Sequence, residues 1–276
     1  MKRLIKNLLR WTAKNNCTWF FLKRVVALGD FLQRSRKGIR EIDIPAGLKK
    51  RLFGKMTVLH GPFSGMKYPR LDSVGSTLYP KLLGSYEREL QPALHEMRRR
   101  EYSEIFDIGC AEGYYAVGLA RIFKKAEVYA YDTDEKARRL CAEMACLNAV
   151  DSRIHITSEC TAKDIGQLPV RQRGLLISDC EGYEKFLFTR SNVRHLKKCD
   201  CIIEVHDAID ITISEHLRSI FSKTHSIVSI KSIDDIEKAR TYQYKELAAS
   251  QLWEKKLLLA ERREGIMEWF ICTPRA

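Results

Sequence analysis

Short apolar runs separated by amphipathic stretches set the rhythm of the chain from residue 104 to residue 273. The runs predict strands over 105–108, 128–131, 154–157, 175–178, 201–205, 227–230 and 269–272. Between them, apolar positions three and four apart predict helices over 113–123, 134–148, 183–196 and 212–222. Strands alternating with helices in this way make a doubly wound α/β sheet. The alternation then stops. Residues 232–266, with Leu247, Leu252 and Leu257 to Leu259, read as a mostly helical insertion, and the last run as a strand returning as a hairpin partner.

Upstream the texture differs. Gly54, Gly61-Pro62, Gly65, Pro69, Gly75, Pro80 and Gly84 interrupt residues 54–85 too often for regular helix, so loops and short strands are expected there. A lead-in helix is expected from Ser85, with Tyr86, Leu90, Ala93, Leu94 and Met97 on one face and Glu87 and Glu89 in the first turn, where the helix dipole favours acids. In residues 1–40, Leu4, Ile5, Leu8, Leu9 and Thr12 share one helical face while Lys2, Lys6, Arg10 and Lys14 fall mostly elsewhere. Such a helix either caps the core or lies on an anionic surface, lipid or acidic substrate. The organisation read from these patterns is a basic amphipathic extension over 1–53, a loop and lead-in segment over 54–103, and a core over 104–276.

Composition narrows the picture. At 276 residues with 45% apolar and 30% charged positions, the chain is an ordinary globular one of roughly one large domain. The net charge of +13 is uneven: residues 1–60 hold fifteen Lys and Arg against Asp30, Glu41 and Asp43. The remainder is close to neutral, which weakens a nucleic-acid role for the core. Nine cysteines without a CxxC pair read as reduced thiols, and Cys199-Asp200-Cys201 has the wrong spacing for a zinc knuckle. The most apolar stretch, Trp19 to Leu28, is broken by Lys23 and Arg24, so no membrane span is expected. A cytoplasmic location is expected, with peripheral contact at the inner membrane surface through residues 1–40.

The chemistry concentrates at strand ends. Ile105-Phe-Asp107-Ile-Gly109-Cys-Ala-Glu-Gly113 leads from a buried strand into a helix, and Asp132 follows the next strand. A dinucleotide fingerprint has three glycines, G-x-G-x-x-G, which let backbone approach a pyrophosphate. Here an acid precedes two glycines spaced D-x-G-x-x-x-G, which repels phosphate and attracts a cation. S-adenosylmethionine meets those terms: it is phosphate-free, carries an ammonium and a sulfonium, and has a ribose diol to donate to Asp132. Gly109 and Gly113 supply close approach and a tight turn, and Glu159, beyond the third strand, is placed near an adenine edge by topology.

On these residues the chain resembles class I S-adenosylmethionine-dependent methyltransferases over residues 104–273. The resemblance implies a Rossmann-like, seven-stranded sheet with its last strand antiparallel. Asp179-Cys-Glu181-Gly182-Tyr-Glu184, then Ile202-Ile203-Glu204-Val205-His206, resembles the D-x-E-G-x-E and E-x-H pattern of FkbM-like methyltransferases. That family O-methylates hydroxyls of sugars, glycans and polyketide-type products. Tyr79 to Glu87 is also similar to members associated with surface polysaccharide genes. A saccharide or lipid-linked glycan is thus the implied acceptor. An RNA methyltransferase and a non-catalytic S-adenosylmethionine-binding or membrane-associated protein are the alternatives. Against the first, no [N/D]PP[Y/F] tetrapeptide stands at the fourth strand.

An alcohol must lose its proton during methyl transfer, which calls for a base or a metal. Asp179 and His206 end what should be neighbouring strands, and alternation puts Glu204 and His206 on one face. Two roles stay open. His206 takes the proton with Asp179 or Glu204 orienting it, or Asp179, Glu181, Glu204 and His206 hold a divalent ion. Glu181 otherwise caps the following helix and Glu204 is a satisfied buried acid. His155 reads as a core histidine, Tyr114 and Tyr115 as residues along the cofactor or packed beneath their helix, and the 254–256 and 261–264 charge runs as solvated helix faces.

Overall fold

The structure is a computed structural model that describes residues 44–263 and 265–275. The chain separates into two units, Met1–Ile44 and Pro45–Ala276, and the sheet belongs to the second. The helix expected in residues 1–40 lies outside the described residues. None of the helices described is long and apolar enough to cross a membrane.

Seven strands form one sheet: β1 (Glu104–Ile108), β2 (Glu127–Tyr131), β3 (Ile154–Thr157), β4 (Gly174–Ser178), β5 (Cys199–Val205), β6 (His225–Lys231) and β7 (Glu268–Pro274). Their spatial order is β3-β2-β1-β4-β5-β7-β6. Strands β1 to β5 pair in parallel, and β7 runs antiparallel to both β5 and β6. This is the Rossmann-like sheet with an antiparallel seventh strand that the resemblance implied. Every residue of β1, β4 and β5 is buried, as expected of central strands covered by helices on both faces. The strand order reverses between β1 and β4, so the loops after these two strands diverge and leave a crevice at the carboxyl edge.

Ten α-helices are described in this unit: α1 (Ala46–Phe53), α2 (Leu78–Leu83), α3 (Gln91–Met97), α4 (Tyr114–Ile122), α5 (Glu135–Leu147), α6 (Ala162–Ile165), α7 (Glu184–Leu187), α8 (Ile213–Phe221), α9 (Asp235–Thr241) and α10 (Leu252–Leu259). Helices α4, α5 and α8 lie within a residue of the expected 113–123, 134–148 and 212–222. Elsewhere the expectations need correction. The helix expected over 183–196 stops at Leu187, because the Asn192 side chain donates to the Leu187 carbonyl (2.8 Å) and accepts from the Thr189 amide (2.8 Å). A short 3-10 turn, Val193–Lys198, resumes beyond it.

The lead-in helix does not start at Ser85. α2 ends on Gly84 in the left-handed conformation (φ +86°), and α3 begins at Gln91. Pro80 sits in the first turn of α2, where its missing N–H costs nothing. Residues 46–53, expected in the extension, belong to the second unit: Leu52 and Phe53 are buried, and the Phe53 ring stacks on Tyr79 with centroids 5.5 Å apart. The mostly helical insertion over 232–266 consists of two short helices, α9 and α10, packed on each other, with a 3-10 turn at Lys245–Leu247 between them.

Candidate active site

Two tight loops build the floor of the crevice. After β1 the chain turns through Gly109 (φ +84°), Ala111 (φ +48°) and Gly113 (φ +94°); after β4 it turns through Glu181 (φ +51°) and Gly182 (φ +95°). The loops touch at Gly109, where an added Cβ would stand 1.8 Å from the Asp179 carbonyl oxygen. At Gly113 it would stand 2.8 Å from Cys141 Sγ. Both glycines make the tight turn expected of them, and the collisions they avoid there are with the protein itself. Non-glycine residues held in the left-handed region store strain of order 1 kcal/mol each, and such positions cluster at functional sites. Ala111, Glu181 and Arg262 all line this crevice.

The crevice is a cavity of about 640 Å³. Its walls include Asp107, Gly109, Asp132, Glu159, Asp179, Glu181, Glu204 and His206, so every expected site residue except Gly113 faces it. Gly113 instead starts α4. Asp107 is buried, and its Oδ2 has no hydrogen-bond partner. Burial pushes its carboxyl up to about 7, against the Ala116 amide, whose hydrogen bond pulls it down. Asp132 accepts from the Ala111 amide (2.8 Å) and the Asp134 amide (2.8 Å), so it also braces the glycine turn. Glu159 is exposed at the rim.

Glu112, inside the glycine turn, faces the other way. Its carboxylate accepts from Lys81 Nζ (2.6 Å), the Ser73 hydroxyl (2.9 Å), the Tyr68 hydroxyl (3.2 Å) and the Val74 amide (3.2 Å). This pins the 73–76 loop over the cavity, which Val74, Gly75 and Ser76 line.

At the other end stands His206, buried at 4% exposure. The register pairs Ser178 of β4 with Ile203 of β5, which brings Asp179 and Glu204 level at the strand ends. His206 Nε2 lies 3.4 Å from Asp179 Oδ1 and 3.9 Å from Glu181 Oε2. Its Nδ1 donates to Glu184 Oε1 at 3.0 Å. Burial alone would lower the imidazole, but the hydrogen bonds to Asp179 and Glu184 outweigh it and lift His206 to about 10. Burial alone would raise Asp179; His206 and then Arg263 hold it below the usual carboxylate range.

Glu184 is the orienting acid, and neither of the expected orienters holds Nδ1. The residue stands in the D-x-E-G-x-E motif, at the start of α7, fully buried and accepting also from the Cys180 amide (2.9 Å). The motif match singled this acid out, but not its contact with Nδ1 of His206, which follows β5. Glu181 caps no helix; it is exposed, in the left-handed region, and turned toward His206. Glu204 accepts a hydrogen bond from Arg263. Burial and the neighbouring Asp179 push Glu204 up.

Arg263 joins three carboxylates from separate segments: Glu204, Glu87 (2.6 Å) and Glu261 (2.9 Å). Its guanidinium also lies 4.7 Å from the Trp269 ring centroid. Lys238 extends the network to Glu261 (2.5 Å). The charge run at 261–263 is thus part of the site wall, not a solvated face, and Glu87 is a buried partner of Arg263 rather than a first-turn acid. Tyr115 donates to Glu87, and Tyr114 packs against Phe63 and Tyr86, so both tyrosines are structural as well as cavity-lining. His155 is exposed, pairing with Glu127 (2.8 Å) on the third strand rather than lying in the core.

Asp179, Glu181 and His206 each offer one ligand atom within 4.8 Å of the others, a set that suits a divalent ion; Glu204, spent on Arg263, stands outside it. The Asp107 end has a buried carboxylate oxygen without a hydrogen-bond partner, which fits the ammonium of a cationic nucleoside such as S-adenosylmethionine.

No protein-family model matches the chain, and no curated protein matches it. Solved structures similar to it include a putative O-methyltransferase from Klebsiella pneumoniae, at 10% identity over 90% of this chain and 96% of that one (TM-score 0.46). Another is a putative rRNA-methylase from Clostridium thermocellum, at 10% identity over 68% and 97% (TM-score 0.44). A third is an O-methyltransferase from Bacillus cereus in complex with SAH, at 10% identity over 65% and 78% (TM-score 0.43).

Proposed function

We propose that the protein is an S-adenosylmethionine-dependent O-methyltransferase acting on a hydroxyl of a saccharide, glycan or related natural product. The observation that carries this reading is the acid-lined cavity at the β1/β4 reversal, with the unsatisfied Asp107 Oδ2 at one end and His206 between two carboxylates at the other. The cofactor, when bound, supplies an electrophilic methyl group on a sulfonium. Asp107 would hold its ammonium, Asp132 its ribose, and Glu159 would meet its adenine edge.

Transfer to a hydroxyl is an in-line displacement, so alignment does much of the work. Positive charge entering beside His206 favours loss of the Nε2 proton, since like charges disfavour each other's ionised forms. The freed Nε2 then accepts the hydroxyl proton while Glu184 keeps Nδ1 protonated and the ring fixed. Asp179 steadies the imidazolium that re-forms. The saccharide class rests on the FkbM-like motifs. Acids along the cavity disfavour a phosphodiester chain, which weighs against RNA.

Calorimetry with S-adenosylmethionine tests the reading. Asp107→Asn keeps the shape and removes the charge, so affinity should fall about 10- to 100-fold, the worth of a charge-assisted hydrogen bond. Wild-type affinity in the variant, or none in the parent chain, would end the assignment. The donor set of Asp179, Glu181 and His206 favours a second reading, in which a divalent ion acidifies the hydroxyl. Turnover that survives excess chelator eliminates that reading.

A further inference from the structure

Beside the His206 end of the cavity lies an apolar surface that none of the chemistry above uses. Tyr183 and Ile209 line the cavity, and Phe186 and Ile211 stand farther along the same two segments. Their exposures are 42%, 61%, 65% and 80% respectively. Tyr183, Phe186 and Ile209 belong to one patch, and Ile211 is exposed two residues beyond Ile209. The Tyr183 and Phe186 rings are 5.8 Å apart, and Ile209 packs on Gly182, where an added Cβ would meet its Cγ2 at 3.1 Å. Lys185 Nζ ties the two segments together through Asp210 (2.8 Å) and the Thr212 hydroxyl (2.6 Å). The patch also hangs from the reacting histidine: the His206 carbonyl accepts from the Ile209 amide at 2.9 Å and the Asp210 amide at 3.2 Å.

A contiguous exposed apolar surface on the rim of a pocket marks a binding site. The chemistry of the patch selects its occupant. A bare sugar ring needs polar groups beside the aromatic face on which it stacks, but here the apolar neighbour is Ile209, Lys185 and Asp210 are paired with each other, and Glu181, the exposed acid of the same turn, faces His206. Hydrocarbon needs only contact area.

We propose that Tyr183, Phe186, Ile209 and Ile211 form an acceptor subsite for an amphiphilic alcohol, whose hydroxyl reaches His206 while its hydrocarbon lies across the patch. The role of acceptor rests on the methyl-transfer reading; binding of the hydrocarbon does not. Two soluble probes test it, dodecyl maltoside below its micellar concentration and maltose, titrated calorimetrically into the parent chain and into Phe186→Ser/Ile211→Ser. Both substituted residues are exposed, so the fold should persist, with an unchanged melting temperature as the check. The tailed probe should bind at least tenfold more tightly than maltose to the parent chain, about 1.4 kcal/mol. The preference should shrink to within threefold in the double variant. Equal affinities in the parent, or an undiminished preference in the variant, would overturn the subsite. Co-sedimentation with phosphatidylcholine vesicles that the variant loses, with no discrimination between the soluble probes, would mark a membrane-facing patch and overturn it equally. Failure of S-adenosylmethionine binding alongside an intact tail preference would remove methyl transfer and leave the apolar site standing.

Discussion

Glu184→Gln isolates one charge at the centre of the site. The Gln side chain keeps an oxygen to accept from His206 Nδ1 and from the Cys180 amide, now 3.0 and 2.9 Å from Glu184 Oε1. What it loses is the negative charge facing the imidazolium. Replacing a charge-assisted hydrogen bond by a neutral one costs about 1 to 1.5 kcal/mol. A full unit charge near 4 Å at an effective dielectric constant of 20 is worth about 4 kcal/mol. At 1.36 kcal/mol per pH unit these bounds predict that His206 falls from about 10 by roughly one to three units. The ring resonances of His206, assigned against His206→Ala, report the midpoint in an NMR titration. Stability gives a second readout. A histidine raised in the folded state stabilises it fully below the unfolded value, near 6.5, and loses that contribution as pH rises through the folded value. The parent should therefore exceed the variant by about 1.4 to 4 kcal/mol in urea unfolding below pH 6, and the gap should close toward pH 10. A His206 midpoint unmoved by the substitution would refute Glu184 as the group that holds the imidazolium.

The remaining predictions concern the scaffold of the site. Gly109→Ala forces a Cβ within 1.8 Å of the Asp179 carbonyl and places alanine at φ +84°; a destabilisation of about 2 to 5 kcal/mol is expected from the conformational and overlap costs together, and an unchanged melting temperature would contradict the packing of the two loops. Arg263→Met leaves Glu87, Glu204 and Glu261 without their shared cation. It should lose about 3 to 5 kcal/mol at pH 8. Because Glu87 and Glu204 are already pushed up by burial, removing the cation raises them further, so the deficit should shrink as pH falls and they protonate. Denaturation curves at pH 8 and pH 5 with equal deficits would exclude that account. Proton release on cofactor loading, read by calorimetry at pH 8.5 in buffers of different ionisation enthalpy, where Asp107 at about 7 is already ionised and His206 at about 10 is still protonated, should be present in the parent and largely lost in His206→Ala.

The periodicity of apolar positions located all seven strands, since burial on both faces leaves a central strand an apolar run such as Leu175 to Ile177 or Cys201 to Ile203. The acids at strand ends were legible for the same reason: Asp107 and Asp179 interrupt or terminate such runs. Glu184 was not, because a first-turn glutamate beside a glycine turn has an ordinary role at that spacing, and its contact with His206 joins residues 22 apart in sequence. Glu87 was read as a first-turn acid and Glu261 and Arg263 as a solvated helix face, since local patterning carries no trace of partners 174 to 176 residues away. Asn192 likewise looked compatible with a helix until its amide met the Leu187 carbonyl.

What the sequence alone determined is the succession of strands and helices and the acid-glycine turn, since apolar period and turn chemistry are carried by residues close along the chain. What only the tertiary structure decided is which charges share a site. Strand register levels Asp179 with Glu204, the 260–263 segment returns Arg263 to the sheet, and an imidazole whose state depends on three carboxylates takes its charge from that assembly. Electrostatic coupling falls with distance in space, not in sequence, so the proton on His206 is a property of the fold.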